Sequence, residues 1–252
     1  YHVGKPGNAT PLRNSYYTLT FNFSGIPTDV ESEIKSKFDV EVRTSLKGFL
    51  YRYGIGTENE IESTLNIDGA SDLLRNFALI FRKYNDDGKI YLFIDEYDHF
   101  TNELFAFNTE HFKEIVSRNG WVRKFYEVIK QFMGAGLIDR FFATGVTPVT
   151  LDSMTSGFNV ARNISLDPDF NEMAGFTEDE LKGLITNTIY TDGKFDLELV
   201  LNDMRSWYNG SKFSPDTATK LFLPPGNGGY QCNFRLQEDR QHPEIPPQGR
   251  LG

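Results

Sequence analysis

One cysteine, Cys232, stands among the 252 residues. That excludes an internal disulfide and a cysteine-rich zinc centre, and it suits a reducing compartment. Positive charge is also scarce: 26 Lys and Arg face 35 Asp and Glu, for a formal net charge of −9 and a pI near 5.0. This balance argues against a broad electrostatic footprint for nucleic acid or for an anionic membrane. Long apolar runs are missing too. None approaches the roughly 20 residues of a membrane span, and the first residues carry no signal-peptide pattern. A cytoplasmic protein is expected. The rest is ordinary globular material, 39% hydrophobic and 24% charged, able to bury the core of one or two domains.

The most informative stretch is Lys89-Ile90-Tyr91-Leu92-Phe93-Ile94-Asp95-Glu96-Tyr97-Asp98. Ile90 to Ile94 are continuously apolar, as expected of a strand covered on both faces in a mostly parallel sheet. Asp87-Gly88 supplies the turn before it. In open α/β sheets ligands bind at the carboxyl ends of strands, where Asp95 and Glu96 would emerge. A nucleotide hydrolase uses such a pair to hold hydrated Mg²⁺ through the Asp and to polarise the attacking water through the Glu. The same pattern also describes a strand whose end is simply solvated by acidic residues.

Around this strand the elements alternate. Tyr17, Leu19, Phe21 and Phe23 share one face of an alternating strand, Tyr16 to Phe23. Thr28 is placed to cap a helix running to about Tyr53, with Ile34, Phe38, Val42, Leu46, Phe49 and Leu50 near helical spacing. A second helix is expected from about Gly69 to Tyr84. Asp98 to Asn108 reads as an aromatic loop. A long helix from about Thr109 to Met133 follows, with Asn119-Gly120 as an interruption. Ile138 to Thr144 reads as a strand with Gly145-Val146-Thr147-Pro148 as its exit, and Asn163 to Leu166 as a short final strand. Thr177-Glu178-Asp179-Glu180 is a capping box opening a helix to about Asn187. A last helix covers about 196–208. Strand and helix alternating at this spacing indicate a doubly wound α/β sheet, mostly parallel and flanked by helices.

After Phe222 the hydrophobic period stops. Residues 223–252, rich in Pro, Gly, Gln and Arg, are expected to be loosely ordered. The expected organisation is an α/β core over 1–175, a helical extension over 176–222 and that tail.

Several segments together resemble the AAA-ATPase-like domain family, whose members are P-loop ATPase homologues often joined to a PD-(D/E)XK nuclease-like domain. They are Thr10-Pro11-Leu12-Arg13-Asn14-Ser15-Tyr16-Tyr17, Asn22-Phe23-Ser24-Gly25-Ile26, Leu92 to Asp98, Thr144 to Asn159, Asn171 to Glu180 and Trp207-Tyr208-Asn209-Gly210. The resemblance implies a P-loop NTPase-like sheet with ATP and Mg²⁺ as cofactors. It matches Asp95 to the Walker B aspartate that orients the metal and Glu96 to the glutamate that polarises water. Thr144 falls at the sensor-like polar position near the γ-phosphate; a strand-end threonine capping the Gly145 turn is the other reading. Asp98 reads as a solvated loop carboxylate.

One part of the family pattern is missing. The resemblance calls for a Gly-Lys-Ser/Thr phosphate loop after a strand and before a helix. The candidate here, Val3-Gly4-Lys5-Pro6-Gly7, has Pro after the lysine and reads as an ordinary loop. The chain is therefore expected to be a fragment, incomplete at its N-terminus, with the remaining strands pairing around a gap or closing up to leave an exposed edge. Little or no nucleotide binding is expected from these residues alone. A nucleotide is the expected partner where a phosphate loop is supplied, with a protein partner or a second copy also possible.

Other groupings carry less. His99 and His111, with Glu103 and Glu110, read as acidic loop decoration rather than a metal site. Asp95, Glu96 and Asp98 as a nuclease centre lack a lysine closely following a carboxylate on an adjacent strand. Trp121, Phe125 and Phe132 read as core, not as a base-stacking platform. Arg140, Arg162 and Arg205 are candidate charge-stabilising fingers, each otherwise an ordinary pairing arginine. The competing function is a non-catalytic interaction or regulatory domain on the same scaffold.

Overall fold

The computed structural model describes residues 7–8, 10–28, 30–116, 119–146, 160–188, 196–223 and 233–237. Strands β1 (Tyr17–Asn22), β2 (Ile90–Asp95) and β3 (Ile138–Gly145) pair in parallel, in that spatial order. Between β1 and β2 run α1 (Glu31–Tyr53), α2 (Glu58–Leu65) and α3 (Ala70–Tyr84). Between β2 and β3 run α4 (His99–Phe107), α5 (Thr109–Val116) and α6 (Trp121–Gly134). Because the strand order advances in one direction, right-handed crossovers put both sets of helices on the same face of the sheet.

The packing follows. Leu19, Phe21, Phe23, Ile90, Leu92, Ile94, Phe141 and Ala143 are all buried. Phe23 meets Phe38 of α1 at 4.8 Å between ring centroids, and Phe21 meets Phe125 of α6 at 5.7 Å. Tyr17 meets Phe81 of α3 at 5.2 Å. Trp121, Phe125 and Phe132 belong to this core, as expected. The second face differs from the expectation. Tyr91 and Phe93 are only half-buried, stacked 4.2 Å apart, so β2 is not equally covered on its two sides. Its unbroken apolar run reflects an aromatic second face, not a second layer of equal depth.

Helix limits mostly match the sequence reading. Gly54 ends α1 in the left-handed conformation, φ 63°, where a side chain would be strained. The cap of α1 differs: Val30 holds that position without a side-chain hydrogen bond, in place of Thr28. The interruption at Asn119-Gly120 separates α5 from α6. Residues 99–107, expected as loop, are helical, because Phe100 and Leu104 lie one turn apart and are both buried. Helix α2 was not expected. Its signal is a capping box, in which Thr57 N donates to Glu60 Oε2 at 2.8 Å and Glu60 N donates to Thr57 Oγ1 at 3.4 Å.

Past β3, β4 is Ala161–Asn163, two to three residues earlier than expected, and Asn163 Oδ1 accepts from Ser165 N in the turn that follows. The expected capping box opens α7 (Glu178–Thr188): Thr177 N donates to Glu180 Oε2 at 2.9 Å. Helix α8 (Leu197–Tyr208) leads to a small antiparallel sheet of β5 (Asn209–Ser211) and β6 (Leu221–Phe222). Leu181, Ile185, Leu201 and Phe222 form a second, smaller core here.

One stretch of the expected tail is a strand, and it lies where a gap or an exposed edge was expected. Residues 233–237 form β7 (Asn233–Gln237), antiparallel to β3 on one side and to β4 on the other. The sheet order is β1-β2-β3-β7-β4, so the outer side of β3 is paired. Ladder hydrogen bonds on both edges hold this segment where composition gave no hydrophobic period. Residues 224–232 and 238–252 lie outside the described residues, as do Lys5 and Cys232.

Candidate functional site

Parallel register places the site. Asn22 pairs with Asp95 at the ends of β1 and β2, and Ile94 pairs with Ala143, which brings Thr144 to the level of Asp95. Asp95, Thr144, Tyr91 and Phe93 share the face opposite α1, α3 and α6, because side chains alternate along each strand. The Thr144 hydroxyl donates to Asp95 Oδ1. Asp95 is exposed, at the carboxyl lip of an interior parallel strand. Its backbone carbonyl accepts from Phe23 N at 3.0 Å, fixing the lip of β1 as well.

Glu96 turns the chain. Its φ is 51°, a left-handed conformation uncommon outside glycine, asparagine and aspartate. After that turn Tyr97 N donates back to Thr144 O at 3.0 Å. The Glu96 side chain is half-buried, and its Oε2 lies 3.4 Å from Nδ1 of His99.

Asp98 is not the solvated loop carboxylate expected. It is fully buried, with its two oxygens 3.0 and 3.1 Å from Val146 N and Oδ2 2.7 Å from Asn102 Nδ2. The sequence signal missed was its position at the N-cap of α4, a helix read as loop. Gly145, read as the start of the exit turn, has a packing role that the sequence did not show. A Cβ there would come within 2.5 Å of both Asp98 Oδ1 and Tyr97 Cε1, so only glycine allows the strand tip to lie this close.

The remaining candidates fall elsewhere. Arg205 makes a two-pronged pair with Glu178, at 2.9 and 2.6 Å. Arg162 pairs with Asp167, and Arg140 Nη1 lies 3.5 Å from Asp139 Oδ2. Glu110 is exposed, and the side chains of Glu103 and His111 lie outside the described residues. A cleft between α1 and α2, lined by Arg43, Lys47, Ile61, Glu62 and Leu65, contains none of the candidate groups.

A family model described as predicted AAA-ATPase matches residues 2–155, more than half of the chain. The chain belongs to the AAA-ATPase-like family. No curated protein and no solved structure matches it. The matched span of this AAA-ATPase-like chain includes the three parallel strands with Asp95, Glu96, Asp98 and Thr144. The resembling segments at 171–180 and 207–210 lie beyond it.

The donor set at the lip is a single accessible carboxylate, Asp95, beside Glu96. Among the described residues no three His, Cys, Asp or Glu side chains form a metal-holding group, so an all-protein cage is not built here. Mg²⁺ does not need one, since it keeps most of its waters and takes one or two carboxylates plus substrate phosphates. Asp95 is accessible for that role, with one oxygen oriented by Thr144. Among the described residues no helix is long and apolar enough to cross a membrane.

Proposed function

We propose that this AAA-ATPase-like chain carries the hydrolytic lip of an ATPase. Asp95 is the Walker B residue that holds hydrated Mg²⁺, Glu96 polarises the attacking water, and Thr144 stands at the sensor-like position near the γ-phosphate. The observation that supports this most is the hydrogen bond between Thr144 and Asp95 at the tips of adjacent parallel strands. It puts the Asp95 carboxylate and the Thr144 hydroxyl side by side, with Glu96 next in sequence on a turn. Bound Mg²⁺ would supply charge neutralisation on the β- and γ-phosphates. Asp95 orients the hydrated Mg²⁺, Thr144 fixes the Asp95 rotamer, and the Glu96 carboxylate accepts a hydrogen bond from the attacking water.

The 252 residues contain no Gly-Lys-Ser/Thr sequence. The amide cradle for the phosphates must then come from another stretch of polypeptide, and binding by these residues alone is weak. That same fact favours a second reading, a non-catalytic domain on the ATPase scaffold that binds protein.

The test uses a polypeptide that joins a Gly-Lys-Ser/Thr loop to residues 1–252, which keeps β7 on the β3 edge. Glu96→Gln is expected to lower ATP hydrolysis by about 10²-fold or more while nucleotide binding persists. Hydrolysis continuing at the parent rate would remove Glu96 from this role.

A further inference from the structure

Three consecutive residues at the tip of β3 are each held by the segment that follows β2. Thr144 is gripped twice: its hydroxyl by Asp95, its carbonyl oxygen by Tyr97 N at 3.0 Å. Gly145 lies against the Tyr97 ring and Asp98 Oδ1, with no room for a Cβ. Val146 N donates to Asp98, 3.0 and 3.1 Å from its two oxygens. The left-handed turn at Glu96 is what brings Tyr97 and Asp98 back toward β3.

Asp98 is unusual within this set. It occupies the N-cap of α4, where an aspartate ordinarily bonds the first amides of its own helix. Here no side-chain cap bond is made. The carboxylate is turned to the neighbouring strand, and Asn102, one turn into α4, donates to its Oδ2 at 2.7 Å. A fully buried carboxylate carries a large desolvation penalty, so its hydrogen bonds to Val146 and Asn102 are strong geometric constraints.

We propose that Asp98 is a positioning residue: it ties the tip of β3 to α4 and the turn after β2, and so fixes the Thr144 hydroxyl on Asp95. The tie itself is read from geometry. Its bearing on nucleotide turnover rests on the function proposed above.

The experiment is NMR on the full chain, comparing the parent with Asp98→Ala, Asp98→Asn and a remote core truncation, Leu74→Ala in α3. In Asp98→Ala the Val146 and Tyr97 amides are expected to exchange roughly tenfold faster relative to amides of α3. Three-bond couplings should show the Thr144 side chain averaging between rotamers. Asp98→Asn keeps one acceptor oxygen and should restore part of both signals. Leu74→Ala should raise exchange without singling out Val146 and should leave the Thr144 rotamer fixed. Should the alanine variant fail to fold, Asp98→Asn gives the same two signals at about threefold amplitude. Unchanged Val146 exchange relative to α3, or a single Thr144 rotamer in the folded Asp98 variants, overturns the proposal. Mn²⁺-ATP titration of the parent is read separately. Its failure would remove the ATPase reading and leave the tie standing.

Discussion

The Thr144 hydroxyl donates to the Asp95 carboxylate across the β2–β3 ladder, 49 residues apart in sequence. Thr144→Val keeps the shape and removes the donor. Because Asp95 is exposed, the stability change should stay within about 1 kcal/mol. Affinity for Mn²⁺-nucleotide should fall by about three- to tenfold, for one lost bond to a charged group. An unchanged affinity measured by Mn²⁺ relaxation would detach Thr144 from the site.

Gly145→Ala tests the closeness of the strand tip. The added Cβ meets Asp98 Oδ1 and the Tyr97 ring, both fully buried and unable to yield freely. Urea unfolding should show a loss of about 2 kcal/mol. A loss under about 0.5 kcal/mol would contradict the close packing of Gly145 against Tyr97 and Asp98.

Glu96 is held at φ 51°, and only glycine adopts that region without strain. Glu96→Gly should therefore be more stable than Glu96→Ala by about 1 kcal/mol in chemical denaturation, although both lose the carboxylate. Equal stabilities would argue against a left-handed turn at this residue.

The join between α7 and α8 should depend on pH. Hydrogen bonds from Arg205 and then Lys182 hold the Glu178 carboxyl down at about 2, against an ordinary 4.5. A carboxyl depressed in the folded state stabilises above its unfolded value and loses that contribution as pH falls from about 4.5 toward about 2. Amide exchange in α8 should rise across that window, and Arg205→Met should flatten the dependence. An identical acid response in both proteins would discount the pair.

Strand β7 closes the outer side of β3. Ending the chain at residue 232 leaves that ladder open, an edge prone to pairing with other chains. The melting temperature should fall by roughly 4 °C or more, and light scattering should report self-association. A truncated chain that stays monomeric and equally stable would show that β7 contributes little.

Much of this was legible in the sequence, for identifiable reasons. The β2 strand and its carboxylates were readable because an apolar run ending in Asp-Glu states both periodicity and polarity locally. The capping box at Thr177 and Glu180 was equally local, and both of its hydrogen bonds form. Asp98 was misread because its partners, Val146 and Asn102, become neighbours only once β2, β3 and α4 have packed. Helix α4 is masked in the sequence by its aromatics, and only packing distinguishes it, with Phe100 and Leu104 buried one turn apart. β7 carries only a brief alternation, Phe234 and Leu236 two apart, inside a tail otherwise rich in Pro, Gly, Gln and Arg. Its strand state is set by the edges of β3 and β4, which is a tertiary cause.

The central claim is that Asp95, Glu96 and Thr144 form a metal-nucleotide lip. The most direct measurement is paramagnetic broadening of backbone amides during titration of the chain with Mn²⁺-ATP, which detects binding in the millimolar range. The account predicts selective broadening at Asp95, Glu96, Thr144 and Val146 that disappears in Asp95→Asn. No broadening there, or broadening that survives Asp95→Asn, would contradict it.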